Sequence, residues 1–195
     1  MDPAIMKIRD YARTVMNNGG SHGFDHVERV TALCEQIGRA EGADMAVLIP
    51  AALLHDIARP REKECGIPHE QEGARMAEEY LTSIGYDAGA VSVIAAAIRT
   101  HRFTTAAEPE SLEAQILSDA DKLDALGAVG IARTFMRAGE HGTTMQDGID
   151  HFHEKLLKLP DRMYTKTARQ IAAERHTFLL RFLALMDDEI QVSRS

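Results

Sequence analysis

Apolar residues recur at intervals of three and four along most of this chain, which is the spacing of an amphipathic α-helix. In residues 25–39 the repeating positions are Val27, Val30, Cys34 and Ile37. Residues 44–57 are apolar on most sides, which predicts a buried central helix, with Pro50 causing a kink or a later start. No segment shows the strict alternation expected of a β-strand. We therefore predict an all-α fold.

Further helices are predicted over residues 69–84, 87–100, 111–137 and 149–158, and from Thr165 onward. Gly85 is placed to cap the first of them at its C-terminus. The apolar stripe of the last helix is predicted to be Ile171, Phe178, Phe182, Met186 and Ile190. The stretch 58–68 is polar and contains Pro and Gly, and the stretch 139–148 contains Gly, so both are predicted to be loops.

The composition is that of an ordinary globular protein, with 45% hydrophobic and 27% charged residues. A chain of 195 residues is long enough for one well-buried domain, which we expect to span residues 1–195, with a division into two domains as the less favoured alternative. The formal net charge of −8 argues against nucleic acid as a partner, because phosphate contacts need clustered Lys and Arg. An acidic chain can still bind a small phosphorylated molecule if a metal ion supplies the positive charge.

The cysteines and the N-terminus favour a cytoplasmic location. Cys34 and Cys65 lack the spacing of metal ligands, which favours two reduced thiols. The N-terminal segment is charged and has no apolar core of a signal peptide. No apolar run reaches the roughly 18 residues that cross a bilayer, so we expect no membrane partner. A homodimer stays open, since no patch can be defined from the sequence.

The candidate chemistry lies on four residues in helix-like segments: His26, His55, Asp56 and Asp121. His55 and Asp56 directly follow an apolar run, and burying an imidazole and a carboxylate without partners is costly. Adjacent helical residues point about 100° apart, so both reach one ion only near the helix surface, unless the carboxylate bridges two ions. Asp121 competes with Asp119 and Asp124 and best fits an inward position. A metal site is the leading hypothesis. The alternative for His26 is that it is a packed residue at the boundary of the core.

These residues carry a resemblance to a known family. The order H…HD…D, within HVERV, LLHDIAR and SDADKLDALGA, resembles the HD-domain superfamily of metal-dependent phosphohydrolases. The segment HEKLLKLPDRMYTKTARQIAAERHTFLLRFL resembles the C-terminal helices of a bacterial and archaeal branch, some members of which are similar to nucleotide pyrophosphohydrolases. The resemblance implies a helical bundle with a metal-binding core at about residues 20–130 and C-terminal helices at 148–191. It also implies that His26, His55, Asp56 and Asp121 ligate a metal ion.

Two more histidines match positions that complete a second metal site in HD proteins with two ions. His69 precedes a Gly-Ala helix and His101 follows an Ile-containing helix. The alternative is that His69 is a helix-terminal polar residue and His101 a loop residue. The branch matched by the C-terminal helices often uses one metal, so one or two ions per chain stay open. Mixed histidine and carboxylate ligands suit Mn²⁺, Fe²⁺, Co²⁺, Ni²⁺ or Zn²⁺, and Mg²⁺ is also considered.

The resemblance implies further contacts with phosphate. Arg59, one turn after His55, and Lys122, beside Asp121, are the candidates, and their alternatives are an exposed arginine and an ion pair. Lys155, Lys158 and Arg162 are weaker candidates for the mouth of the pocket, as is His22 for a substrate contact. Arg59 stands where some HD nucleotidases carry an acid/base glutamate, and Glu72 is the substitute that we consider.

The expected function is that of a metal-dependent phosphohydrolase acting on a small phosphorylated metabolite, most simply a nucleotide. Metal-activated water near Asp56 would attack a pyrophosphate or phosphomonoester bond, and the pyrophosphate bond of a nucleoside triphosphate is the specific expectation. Two rival hypotheses remain. One is an HD-fold di-iron oxygenase, which would consume O₂, and the other is a non-catalytic nucleotide-binding module, which would bind nucleotide without turnover.

Overall fold

The computed structural model describes residues 2–16, 19–102 and 107–192, and within these ranges it contains helices and turns without a strand. This confirms the predicted all-α class. The helices are α1 (Pro3–Val15), α2 (Phe24–Glu41), α3 (Met45–Leu54), α4 (Glu62–Cys65), α5 (His69–Ser83), α6 (Ala88–Thr100), α7 (Leu112–Asp124), α8 (Gly127–Glu140), α9 (Met145–Glu154) and α10 (Lys166–Val192). No helix in these ranges combines the length and the apolar character that a membrane crossing requires.

The contacts divide the chain into two compact units, Met1–Asp121 and Lys122–Ser195. In the first unit, α3 is the central helix and packs against α1, α2 and α6, while α5 packs against α6. The predicted face of α2 is confirmed, since Val27, Val30, Cys34 and Ile37 are all fully buried. The expectation of a single domain over residues 1–195 stays a prediction.

The central helix starts before Pro50, so the predicted later start is wrong, and the helix ends earlier than predicted. It begins at Met45, because the Asp44 side chain accepts a hydrogen bond from the Ala46 amide at 2.8 Å and caps the helix. Pro50 therefore lies inside the helix, and the predicted later start does not occur. The helix ends at Leu54 rather than at residue 57, with His55 as its C-terminal cap.

Three other boundaries needed correction. The stretch 58–68, predicted as a loop, contains a 3₁₀ turn at Arg59–Arg61 and the short helix α4. The predicted helix 111–137 is two helices, α7 and α8. Helix α9 begins inside the predicted loop 139–148, because Thr144 and Asp147 form a reciprocal capping box. Helix α1 was not predicted, although Asp2 caps it and Pro3 occupies its first turn.

The second unit contains α8, α9 and α10. Phe135, Phe152 and Phe182 form an aromatic cluster with ring centroids 6.0–6.2 Å apart. The predicted stripe of α10 is wrong at Phe178, whose side chain is 49% exposed. The face that is buried consists of Ala168, Ala172, Leu179 and Leu183. Apolar residues lie on more than one side of this helix, so spacing alone did not select the buried face.

Candidate metal centre

Two histidines occupy equivalent positions at the ends of two helices. His55 caps α3 and His101 caps α6, and both side chains are buried. Nδ1 of His55 lies 2.8 Å from the carbonyl oxygen of Ala52, and Nδ1 of His101 lies 2.7 Å from that of Ile98. A carbonyl oxygen only accepts, so Nδ1 donates in both rings. In the neutral ring, Nε2 then carries a lone pair.

The carboxylate of Asp56 lies among these rings and is itself 1% exposed. Its Oδ1 atom lies 3.3 Å from Nε2 of His69 and 3.7 Å from Nε2 of His101. Its Oδ2 atom lies 3.7 Å from Nε2 of His26 and 3.9 Å from Nε2 of His55. We call His69 and His101 the Oδ1 side of the centre, and His26, His55 and Asp121 the Oδ2 side.

Asp121 joins the Oδ2 side through His26. Its Oδ1 atom lies 3.3 Å from Nε2 of His26, and that nitrogen lies 3.3 Å from Nε2 of His55. The six predicted ligands therefore come together in the first unit, from the start of α2, the end of α3, the start of α5, the end of α6 and from α7. The side chains of His26, His55, Asp56, His69 and His101 are almost fully buried, whereas that of Asp121 is 27% exposed.

The arrangement fits a bound cation. Asp56 Oδ1 and His69 Nε2 are buried and make no hydrogen bond within the described residues. When the ring of His101 is neutral, the lone pair on its Nε2 atom also faces Asp56 Oδ1. A nitrogen lone pair and a carboxylate oxygen repel each other unless a cation lies between them. Ligand atoms of His26, His55 and Asp121, and those of His55, Asp56 and His101, lie within 4.8 Å of one another.

The pKa values of His55, Asp56 and Asp121 favour the forms that bind metal. Burial lowers the pKa of His55 to about 4, so its ring is neutral at pH 7. Burial opposes ionisation of Asp56, but Arg59 and the neighbouring imidazoles outweigh it and hold the pKa well below its usual value. Burial likewise opposes ionisation of Asp121, and the hydrogen bond with His26 outweighs it and holds that pKa well below its usual value. Neutral imidazoles and ionised carboxylates are the ligand forms.

Charged residues that the sequence did not single out surround the Oδ1 side. Glu62 Oε1 lies 3.1 Å from Nδ1 of His69. Arg102 donates to Glu62 at 3.5 Å and to Glu70 at 3.4 Å. Arg59, which was predicted, donates through Nε to Asp56 Oδ2 at 3.4 Å. Glu62, Glu70 and Arg102 were not found from spacing. The stretch 58–68, whose turn brings His69 back to Glu62, was predicted to be a loop.

The remaining predicted residues lie as follows. His22 lies beside His26, with ring centroids 5.8 Å apart. Glu72 pairs with Arg75, whose hydrogen bond lowers the carboxyl pKa, and this does not favour it as a proton donor. Lys122 belongs to the second unit, where its Nζ lies 4.6 Å from the ring centroid of Tyr164. Contacts of phosphate with Lys122, and with Lys155, Lys158 and Arg162, stay predictions.

Comparison with known proteins places this geometry in a family. The family model of the HD domain matches residues 23–126. The chain belongs to the HD domain family. Its recognition from the ordered His, His-Asp and Asp residues is confirmed, and the HD domain is an all-α fold that binds divalent metals.

Relatives of this HD protein cover nearly its whole length. The uncharacterized protein YpgQ of Bacillus subtilis is 35% identical, over 94% of this chain and 92% of that protein. The crystal structure of YpgQ in complex with ADP has a TM-score of 0.80 and 32% identity, and covers 95% of this chain and 94% of that one. An HD-superfamily hydrolase from Bacillus thuringiensis has a TM-score of 0.78 and 31% identity, with 96% of each chain covered.

Proposed function

We propose that this HD protein is a metal-dependent phosphohydrolase that acts on a nucleotide, with the pyrophosphate bond of a nucleoside triphosphate as the specific target. The observation that carries this proposal is the buried carboxylate of Asp56, which faces histidine nitrogens at both of its oxygens. The ADP complex of the relative YpgQ supports a nucleotide as the ligand class. The net charge of −8 favours a small phosphorylated substrate over nucleic acid.

The proposal includes the ligands of one or two ions. His26, His55, Asp56 and Asp121 would hold one ion, and Asp56 with His69 and His101 would hold a second. Histidine nitrogen mixed with carboxylate oxygen suits Mn²⁺, Fe²⁺, Co²⁺, Ni²⁺ or Zn²⁺. When bound, such a metal lowers the pKa of a coordinated water and offsets the charge that develops on a phosphoryl oxygen.

The chain's own residues orient the ligands and admit the substrate. Carbonyl oxygens hold the rings of His55 and His101 so that Nε2 faces Asp56. Asp121 and Arg59 are each 27% exposed, so solvent and substrate reach the centre next to them. Arg59 pairs with Asp56 and Glu62, and its guanidinium is placed to bind a phosphate oxygen at this opening.

The formal charge of the centre explains why a cation is needed. Among the described residues, four carboxylates of the centre are accompanied by two guanidinium groups. The carboxylates are those of Asp56, Glu62, Glu70 and Asp121, and the guanidinium groups are those of Arg59 and Arg102. Two negative charges remain, and a triphosphate adds more. Because like charges repel strongly in a buried site, an anionic substrate binds only after divalent cations reverse the local charge.

The experiment that tests the proposal is product analysis of a panel of nucleotides. Metal-stripped protein is compared with the same protein supplied with Mn²⁺. Nucleoside monophosphate and pyrophosphate, formed only with the metal, are the expected products. Release of inorganic phosphate alone would point to a phosphomonoesterase. No product from any nucleotide would overturn the proposal and direct attention to iron content and oxygen uptake.

A further inference from the structure

Three of the four buried histidines around Asp56 are oriented by two different kinds of partner. His55 and His101 each donate from Nδ1 to the carbonyl oxygen three residues earlier in the chain. His69 is the first residue of α5 and has no preceding helical turn that could supply such a carbonyl. Its partner is the side chain of Glu62, whose Oε1 atom lies 3.1 Å from Nδ1.

Glu62 holds the backbone of His69 as well as its ring. The same Oε1 atom accepts from the backbone N–H of His69 at 3.3 Å. Gly66 makes this possible: it adopts a left-handed φ of +68° after α4 and turns the chain back so that His69 returns to Glu62. An amide at the start of a helix has no intrahelical acceptor, so Glu62 also satisfies one of the N–H groups at the start of α5.

Glu62 is not itself placed to bind a cation. Glu62, His69 and Glu70 do form a cluster of possible ligands. However, Arg102 lies within 3.5 Å of Glu62 and within 3.4 Å of Glu70, and Arg59 lies within 3.5 Å of Glu62. Two guanidinium groups already compensate the charge of these carboxylates. The unsatisfied Nε2 atom of His69 points instead to Asp56.

The proton on His69 must lie on Nδ1 when Nε2 binds a metal. Arg59 Nη1 lies 3.2 Å from this Nδ1 atom, but a guanidinium has no acceptor. Glu70 Oε2 lies 3.4 Å from the same nitrogen, whereas Glu62 Oε1 lies at 3.1 Å, so Glu62 is the closer acceptor of the Nδ1–H bond. A carboxylate in this position fixes the ring and makes the opposite nitrogen a stronger ligand, and losing such a partner typically weakens metal binding about 10–100-fold.

We propose that Glu62 is a positioning residue for His69, and that it determines the affinity of the Oδ1 side for a metal ion. This inference rests on the proposed function only in that the centre binds divalent metal, and it requires that two ions are bound. It assigns a role to a residue outside the ligand set, on the short helix α4. The Oδ2 side has no contact with Glu62 among its described interactions and is expected to bind its ion independently of it.

The test is a Mn²⁺ titration of metal-stripped protein, with free Mn²⁺ followed by electron paramagnetic resonance and bound metal counted by elemental analysis. Wild type is expected to bind two ions. Glu62→Ala is expected to bind one of them about 10–100-fold more weakly and the other with unchanged affinity. Glu62→Gln keeps an oxygen that accepts the Nδ1–H bond, so it is expected to recover part of the loss.

Glu64→Gln is the matched control, because Glu64 lies on the same short helix with an exposed side chain. It is expected to bind both ions as wild type does. Circular dichroism of the metal-free variants shows whether they are folded. If Glu62→Ala is unfolded, the titration of Glu62→Gln alone decides the test. The inference is overturned if wild type binds one ion, if Glu62→Ala keeps two with equal affinity, or if both are weakened alike.

This readout counts metal and does not depend on turnover. If no nucleotide is hydrolysed but Glu62→Ala still loses one ion selectively, the proposed substrate is wrong and the role of Glu62 stands. If nucleotide is hydrolysed by wild type and Glu62→Ala binds metal normally, the role of Glu62 is wrong and the proposed function stands.

Discussion

The two oxygens of Asp56 face unlike surroundings. On the Oδ2 side, a second carboxylate, Asp121, reaches the solvent and lies 3.3 Å from a histidine nitrogen. On the Oδ1 side, His69 and His101 are almost fully buried, and the nearby carboxylates of Glu62 and Glu70 lie behind His69 at Nδ1. The Oδ2 side therefore carries a second negative charge, on Asp121, and is open to solvent. The Oδ1 side is closed to solvent, and the charges of Glu62 and Glu70 lie behind the neutral ring of His69.

The largest effect is expected from Asp56→Asn, because both sides share this carboxylate. The variant should bind neither ion tightly, and kcat/KM should fall by about 10³-fold or more. Asp10→Asn, a change in an exposed residue of α1, is the control. Elemental analysis and nucleotide hydrolysis measure the two effects. Retention of either ion with wild-type affinity would show that the carboxylate is not shared.

Asp121→Asn should break the Oδ2 side alone. We expect loss of hydrolysis by about 10²–10³-fold, retention of the ion on the Oδ1 side, and an unchanged fold by circular dichroism. The matched control is Asp188→Asn, an exposed carboxylate on α10. Full activity in the variant would refute the assignment of Asp121 to the centre.

His101→Asn should break the Oδ1 side alone. The asparagine amide can still donate to the Ile98 carbonyl, but it offers no Nε2 lone pair. One ion should be lost, while the ion held by His26, His55 and Asp121 remains and kcat falls by about 10²-fold. His153→Asn, an exposed histidine of α9, serves as the control. Loss of both ions would mean that the two sides do not bind separately.

The pH dependence of the stability of the metal-free protein tests the burial of His55, on the Oδ2 side. Burial lowers its folded pKa to about 4, whereas the unfolded chain has the ordinary value near 6.5. The unfolded state therefore takes up the proton first as pH falls, so stability is full above pH 6.5 and is lost between 6.5 and 4. This group contributes about 3 kcal/mol to that loss. Denaturant unfolding at several pH values should show a weaker dependence in His55→Asn.

The smallest effect is expected from Gly73→Ala, where α5 passes His55. A Cβ atom there would lie 3.5 Å from the His55 carbonyl oxygen, which is ordinary contact. Because alanine is the better helix former, the free energy of unfolding should rise by about 0.5–1 kcal/mol. Metal binding should stay unchanged, and calorimetry with a Mn²⁺ titration tests both points. Weaker binding would show that α5 tolerates no added volume next to the centre.

The sequence singled out the candidate ligands but not the residues that orient them, and the reason is physical. His55 and Asp56 were evident because two polar groups interrupt an apolar run, which is a local signal. Glu62 was missed because its contact with His69 depends on a turn at Gly66, and a turn in a charged stretch looks like any loop. The predicted stripe of α10 was wrong at Phe178. When a helix has apolar residues on several sides, the elements that pack against it determine which side is buried.

The bonds from His55 to Ala52 and from His101 to Ile98 also belong to the last turns of α3 and α6. The final carbonyls of a helix lack partners within the helix, and these rings supply them. If either last turn frays, the ring loses its orientation with it. Amide hydrogen exchange at the ends of α3 and α6 should therefore slow when metal is added. The exchange rates of these amides would then measure both the local opening of the helix ends and the binding of the ion.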